Sequence, residues 1–275
     1  MKVEDLLVFG KKYLHKDQAE MLLAALLKVN SLELLLMLSK EVDNKIVDEY
    51  QKKVLELQKN IPIQYVIGNV NFYGNIFKVN KNVLIPRFET EELVENTLYY
   101  INKYFPKDIK IIDLGCGSGA IGLTLKKKLP SANVTLLDIS KEALIVAKEN
   151  AQDLNCDVTF IESDMWENVN DKYDVIISNP PYIKNNEEIE RIVYDNEPHL
   201  ALYGGDDGLD CYRKIHDGLI KHASDKFLLA MEIGYDEKDD IINLFSDISN
   251  IKIITKKDLS NRDRMIFLFR NIVLD

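Results

Sequence analysis

The sequence predicts an α/β chain: a mostly parallel seven-stranded sheet with an antiparallel strand, preceded by a small helical domain and a β-hairpin linker. Three observations carry this. The first sixty residues repeat their apolar side chains at helical spacing only. Residues 64–85 break into short runs rich in Val, Ile, Phe and Tyr, punctuated by Gly68 and Gly74-Asn75. From Lys110 onward, strand-like and helix-like segments alternate, the pattern of a parallel sheet covered on both faces.

Taken in order, Asp17 with Glu20 reads as a capping box ahead of the apolar stretch Met21–Val29. Ser31 reads as the cap of a second helix through Leu32, Leu34, Leu35, Leu36 and Leu38. Ile46, Val47, Tyr50, Val54 and Leu57, with charges between them, mark one buried face of a third. Pro62 ends this region, so the expected domains are 1–61 (helical), 62–85 (hairpin connection) and 86–275 (the α/β domain). The expected sheet strands are Ile111–Leu114, Val134–Leu137, Val158–Ile161, Val175–Ser178, Phe227–Ile233, Ile251–Ile254 and Met265–Phe269. The last two are separated only by a polar turn and read as a hairpin, which supplies the antiparallel strand. Ser140 reads as the N-cap of a helix to Asn150.

Composition narrows the function. At 275 residues and 46% hydrophobic, the chain has material for a real core, yet its apolar runs, such as Met21–Leu27, fall far short of the ~20 residues a membrane span needs. The acidic start Met-Lys-Val-Glu-Asp does not read as a signal peptide, and the expectation is a cytoplasmic protein with no membrane partner. Residues 1–85 hold 12 basic and 10 acidic side chains, leaving 23 and 35 for the rest, so the α/β part carries the net acidity. That balance argues against a stable nucleic-acid partner, whose affinity would come from phosphate contacts. Three unpaired-looking cysteines and four scattered histidines indicate neither a disulfide framework nor a metal site. His15 reads as a surface or cap residue, and His199 as a neighbour of the active-site loops. Monomer is the default.

The most informative stretch is Asp113-Leu-Gly-Cys-Gly-Ser-Gly-Ala-Ile-Gly122, after one strand and opening a helix. Gly115, Gly117 and Gly119 allow a tight turn and close approach to a ligand. Gly117, Gly119 and Gly122 also satisfy the dinucleotide fingerprint, with Asp138 placed to hold ribose hydroxyls. A pyrophosphate would meet repulsion from the Asp113 carboxylate, however, whereas the cationic end of S-adenosyl-L-methionine would be attracted by it. A glycine-rich packing turn is the third reading. Within and after this loop, Cys116 reads as a small neutral filler, with Ser118 beside it. Ile139 follows Asp138, and Asp164-Met165-Trp166 follows the third strand, where an acid and a flat apolar face suit an adenine ring. Trp166 is equally at home in a core.

After the fourth strand comes Ser178-Asn179-Pro180-Pro181-Tyr182. Two prolines stiffen the backbone where a parallel strand meets the ligand crevice. Asn179 Oδ1 and the Pro180 carbonyl then form a pair of acceptors, walled by Tyr182. Such a pair suits the methylation of a planar nitrogen. Binding both hydrogens directs the lone pair toward an electrophile, and the two bonds strengthen as positive charge develops.

The glycine loop resembles the first motif of Rossmann-like class I methyltransferases, and Asn179-Pro-Pro-Tyr182 is similar to the motif of amino-methyltransferases acting on planar nitrogen. Further segments narrow the resemblance. They are Ile61-Pro-Ile-Gln-Tyr65 with Gly68, Phe72 and Gly74; Leu84-Ile-Pro-Arg-Phe-Glu-Thr-Glu91; Glu197-Pro198 leading to Gly204-Gly-Asp-Asp-Gly208; and Glu232-Ile-Gly234. Together they resemble the HemK/PrmC family over nearly the whole chain. The resemblance implies transfer of a methyl group from S-adenosyl-L-methionine, leaving S-adenosyl-L-homocysteine, to the glutamine of the Gly-Gly-Gln motif of peptide chain release factors. It also implies that the helical domain engages that protein substrate. The alternative is a DNA or RNA amino-methyltransferase using the same corner. The chain departs from the family pattern at Phe88, where proline is usual, and Arg87 with Glu89 reads either as part of the site or as a structural ion pair.

Overall fold

The computed structural model describes residues 1–274; Asp275, the end of the expected third segment, lies outside them. The chain separates into two compact units, one of residues 1–69 with 189–196, the other of residues 70–188 with 197–274.

The first unit is helical: α1 (Val3–Gly10), α2 (Lys16–Leu27), α3 (Ser31–Leu36), α4 (Asn44–Leu57) and α5 (Ile63–Ile67). Its core gathers Leu6, Leu22, Leu23, Val47, Tyr50 and Val54. The Tyr50 hydroxyl reaches the Ala19 carbonyl at 3.2 Å, and a Cβ on Gly10 would strike that same hydroxyl, so glycine lets α1 lie close. Two expected caps shift. α2 begins at Lys16 after His15, which places Asp17 inside its first turn. The capping box belongs to α3, where Asn30 Oδ1 accepts from the Glu33 amide and the Glu33 carboxylate accepts from the Asn30 amide. Residues 63–67 form a turn of helix closed by Gly68 at φ +92°, so β character begins five residues later than the Val/Ile/Tyr content suggests.

The second unit opens with the hairpin strands β1 (Asn69–Phe72) and β2 (Asn75–Lys78), then α6 (Phe88–Tyr104). The sheet strands are β3 (Lys110–Leu114), β4 (Asn133–Asp138), β5 (Thr159–Glu162), β6 (Tyr173–Ser178), β7 (Ala223–Glu232), β8 (Ile251–Lys257) and β9 (Asp263–Arg270). They lie in the order 5-4-3-6-7-9-8. β9 alone runs antiparallel to its neighbours, the expected Rossmann-like pattern. Between strands run α7 (Ala120–Lys128), α8 (Lys141–Asp153), α9 (Arg191–Asn196, grouped with the first unit), α10 (Asp210–His222) and α11 (Lys238–Leu244).

Period-two alternation feeds two cores. Ile111, Val175, Ile177 and Leu228 face α6, α7 and α8, while Ile112, Ile176, Leu229 and Met231 face α10 and α11. All these side chains are fully buried. Each branched side chain withdrawn from water contributes roughly 1.5–3 kcal/mol, which a sheet covered on both faces collects along every strand. β3 has β4 on one side and β6 on the other, so the chain reverses its direction of growth there. That reversal opens a crevice at the carboxyl ends of these strands.

Candidate active site

The loop leaving β3 turns on three glycines of positive φ: Gly115 at +72°, Gly117 at +54° and Gly119 at +80°. The Cys116 amide donates to the Leu137 carbonyl and the Gly119 amide to the Cys116 carbonyl, both at 2.8 Å, before α7 begins. A Cβ built on Gly115 or Gly117 meets no atom within 4 Å, so both backbones border open space. The cavity there is lined by Gly115, Gly117, Asp138, Ile139, Asp164, Met165, Asn179 and Pro181, all expected from sequence.

Asp138, at the end of β4, is buried and holds the loop: Oδ2 accepts from the Gly117 amide and Oδ1 from the Ser140 amide, each at 2.8 Å. Burial raises its carboxyl above the ordinary range, against the pull of those amides. Ile139, 46% exposed, offers an apolar wall beside it. Asp164 carries a partner that the sequence did not suggest, because Lys214 of α10 bonds both its oxygens at 2.9 and 2.7 Å. Met165 has φ +44°.

Other expected residues stand behind the cavity wall. Asp113 is fully buried, and its Oδ2 accepts from the Gly122 amide at 2.9 Å, so the carboxylate lies beneath the loop. Burial pushes it to about 7, opposed by the Gly122 amide and helped by the charge of Asp138. Its Oδ1 is buried without a hydrogen-bond partner. Cys116 is buried with its thiol pushed well up, the state of a filler and not of a nucleophile. Ser118 and Gly119 are buried, and the Ser118 carbonyl accepts from Asn150 at 2.9 Å. Trp166 sits in the core: its indole donates to the Ile215 carbonyl at 3.0 Å and stacks on His222 at 5.1 Å.

The Asn-Pro-Pro-Tyr corner emerges from β6. Pro180 is buried and Pro181 half-buried. Asn179 Nδ2 donates to the Thr90 hydroxyl at 3.2 Å, and that hydroxyl donates to Glu232 Oε2 at 2.7 Å. The Tyr182 hydroxyl lies 3.4 Å from Glu232 Oε1 and 3.4 Å from Arg264 Nη1. Thr90 and Glu232 fall in segments that carried the family resemblance, but sequence alone attached no role to them. Arg87 pairs with Glu197 at 2.5 Å, not with Glu89, and Glu197 also accepts from the Ile85 amide at 3.2 Å. This buried carboxylate ties the segment leading into α6 to the Glu197-Pro198 loop, whose Pro198 and Leu200 line the cavity with Val83 and Leu84.

A family model for the PrmC N-terminal domain matches residues 11–68, and one for the methyltransferase small domain matches residues 92–204. A release factor glutamine methyltransferase of Bacillus cereus is 35% identical over 97% of this chain and 99% of that protein. One of Flavobacterium psychrophilum is 39% identical over 89% and 88%. The chain belongs to the release factor glutamine methyltransferase family. A methyltransferase structure from Pyrococcus furiosus shares the fold, with a TM-score of 0.54 at 18% identity over 73% of this chain and 91% of that one.

Membership makes the chain an enzyme whose methyl donor is S-adenosyl-L-methionine. The residues present fit that group. The loop of this methyltransferase leaves a cradle at Gly115 and Gly117 that any side chain would fill, and Asp138 stands against it as an oriented acceptor. No helix is long and apolar enough to cross a membrane, among the described residues.

Proposed function

We propose that the chain methylates the side-chain amide nitrogen of the glutamine in the Gly-Gly-Gln motif of peptide chain release factors. The proposed catalytic residues are Asn179, Pro180 and Tyr182, and Pro181 joins them in binding the substrate. The observation that carries the reading is the polarity of the Asn179 amide. Its nitrogen end is spent on Thr90, which turns the acceptor Oδ1 away from that bond, at a residue lining the same cavity as the glycine loop. Family membership supports the substrate, since the relatives bear the name of an enzyme acting on release factor glutamine.

When bound, S-adenosyl-L-methionine supplies an electrophilic methyl group. Gly115 and Gly117 would hold it by close backbone approach, Asp138 by accepting from hydroxyls, and Asp164, Met165 and Ile139 by flanking a flat ring. Asp113, Cys116, Ser118 and Gly119 shape the loop from beneath, and Trp166 packs in the core against α10. At the corner, Asn179 Oδ1 and the Pro180 carbonyl take one hydrogen each from the target amide. That orients its nitrogen, and both bonds strengthen as the nitrogen becomes cationic. The proton can leave after that, so no strong base is needed. We assign the helical residues 1–61 to recognition of the protein substrate, 62–85 to the connection and 86–275 to methyl transfer. The enzyme is taken as a cytoplasmic monomer without a nucleic-acid partner.

The test offers labelled S-adenosyl-L-methionine together with release factor, its Gln→Ala variant at Gly-Gly-Gln, and duplex DNA. Label on the intact release factor alone is expected; label on DNA, or on the Gln→Ala variant equally, sinks the reading. Asn179→Ala is expected to lower turnover by about 10²–10³-fold with cofactor binding retained.

A further inference from the structure

We propose that Thr90 and Glu232 form a positioning relay that decides which end of the Asn179 amide faces the cleft. The inference rests on the reading of Asn179 as an acceptor for the target amide and adds how its polarity is set. An asparagine amide has nearly the same shape with oxygen and nitrogen exchanged, so packing alone cannot tell the ends apart; hydrogen-bond polarity must. Only the oxygen end can receive an N–H of a substrate amide.

The geometry supplies that polarity in two steps. An ionised Glu232 has no proton to give, so at 2.7 Å Thr90 must be the donor. The threonine hydroxyl has one proton, and once that is committed to Glu232 its oxygen can only accept. At 3.2 Å it therefore selects Asn179 Nδ2. The same carboxylate meets the Tyr182 hydroxyl, which lies 3.4 Å from Oε1. A single buried anion thus orients two side chains of the corner. Thr90 and Glu232 are themselves buried and do not line the cavity, so they act through Asn179.

Protonation would reverse the logic. A neutral Glu232 can donate to Thr90, which then has its own proton free for Asn179 Oδ1, and the amide can turn round and present hydrogens to hydrogens. The groups facing this carboxyl are Arg264 of β9, itself paired with Asp258, and Tyr182 after β6. Tyr212 of α10 sits on its backbone carbonyl, and Glu89 of α6 opposes its charge. Arg87 lies beyond Tyr182. Burial outweighs Thr90 and Arg264, and the carboxyl is held up at about 7.

The experiment uses the full enzyme with intact release factor at saturating substrates. Thr90→Val is expected to lower kcat by about tenfold, the worth of one oriented hydrogen bond, with KM and cofactor affinity within about twofold and Thr90→Ser close to wild type. Wild-type kcat is expected to fall below pH 7, and Glu232→Gln to lose that limb. Independently, the Asn179 side-chain NH2 resonance, identified by its absence in Asn179→Ala, is expected to titrate near pH 7 in protein without release factor. A Thr90→Val enzyme with unchanged kcat, an acid limb that survives in Glu232→Gln, or an Asn179 resonance flat from pH 6 to 8 overturns the relay. If Thr90→Val does not take up cofactor, the pH profile and the resonance decide. A wild-type enzyme that leaves release factor unlabelled instead overturns the substrate reading, and the resonance still tests the relay.

Discussion

Phe88 shows how one residue can depart from a pattern at small cost. It occupies the first position of α6, where the backbone amide needs no intrahelical partner, and it is 63% exposed. Arg87 before it is extended, at φ −98° and ψ 154°, the conformation a following proline demands. The family's usual proline should therefore fit. Phe88→Pro is expected to raise the urea midpoint by the equivalent of about 0.4–1 kcal/mol, through a less free unfolded chain. A lower midpoint would mean that the exposed ring packs in a way its accessibility does not show. Arg87 behaves differently: its partner is the buried Glu197, 110 residues away in sequence, so a local reading of Arg87 with Glu89 could not find it.

At the scale of elements, the approach of α7 to the sheet depends on Gly122. A Cβ there would lie 2.2 Å from Leu136 Cδ2 and 3.0 Å from Asp113 Oδ2. This glycine lets a helix and a strand touch, while Gly115 and Gly117 clear space for a ligand. Gly122→Ala is expected to destabilise by about 1–3 kcal/mol and to weaken cofactor uptake, because it displaces the carboxylate that the loop is built over. Urea unfolding checks the stability and calorimetric titration with S-adenosyl-L-methionine the uptake. Intact stability would show that α7 can shift outward. α8 illustrates the opposite case of local determination, since Ser140 caps it from sequence and from structure alike, accepting from the Ala143 amide at 3.1 Å.

For the whole molecule, buried carboxyls dominate the response to pH; Asp138, also raised by burial, acts with the three lifted furthest, and His222, lowered by burial, opposes them. Asp113, Glu232 and Glu237 are each lifted to about 7, burial first. Between about 7 and the ordinary carboxyl range, the folded chain therefore binds more protons than the unfolded chain, and stability rises on acidification. Above their raised values the contribution is flat. Partial neutralisation of the net charge of −10 acts in the same direction. Asp207, held down at about 2 by the Arg213 guanidinium, loses its advantage only at much lower pH. The thermal midpoint is expected to be higher at pH 6 than at pH 8, by on the order of 5 °C, and Glu237→Gln to reduce the difference. Scanning calorimetry at the two values decides, and a lower midpoint at pH 6 counts against the argument.

Legible in the sequence were the helical front, the two-faced sheet with its antiparallel strand, and the family, because side-chain period and glycine and proline placement are local; the short helices α1 and α5 were not read. The cavity's main wall was legible too, since Gly115, Asp138, Asp164 and Asn179 all stand at or just after the carboxyl ends of strands. Who faces whom depended on packing. Trp166 went to the core because His222 and Ile215 were there to receive it. Asp113 went beneath the loop because Gly122 offered an amide. Thr90 and Glu232, separated by 142 positions, met at Asn179 only once α6, β6 and β7 had packed. Hydrogen-bond partners are chosen by proximity in space, and distance along the chain carries no record of it.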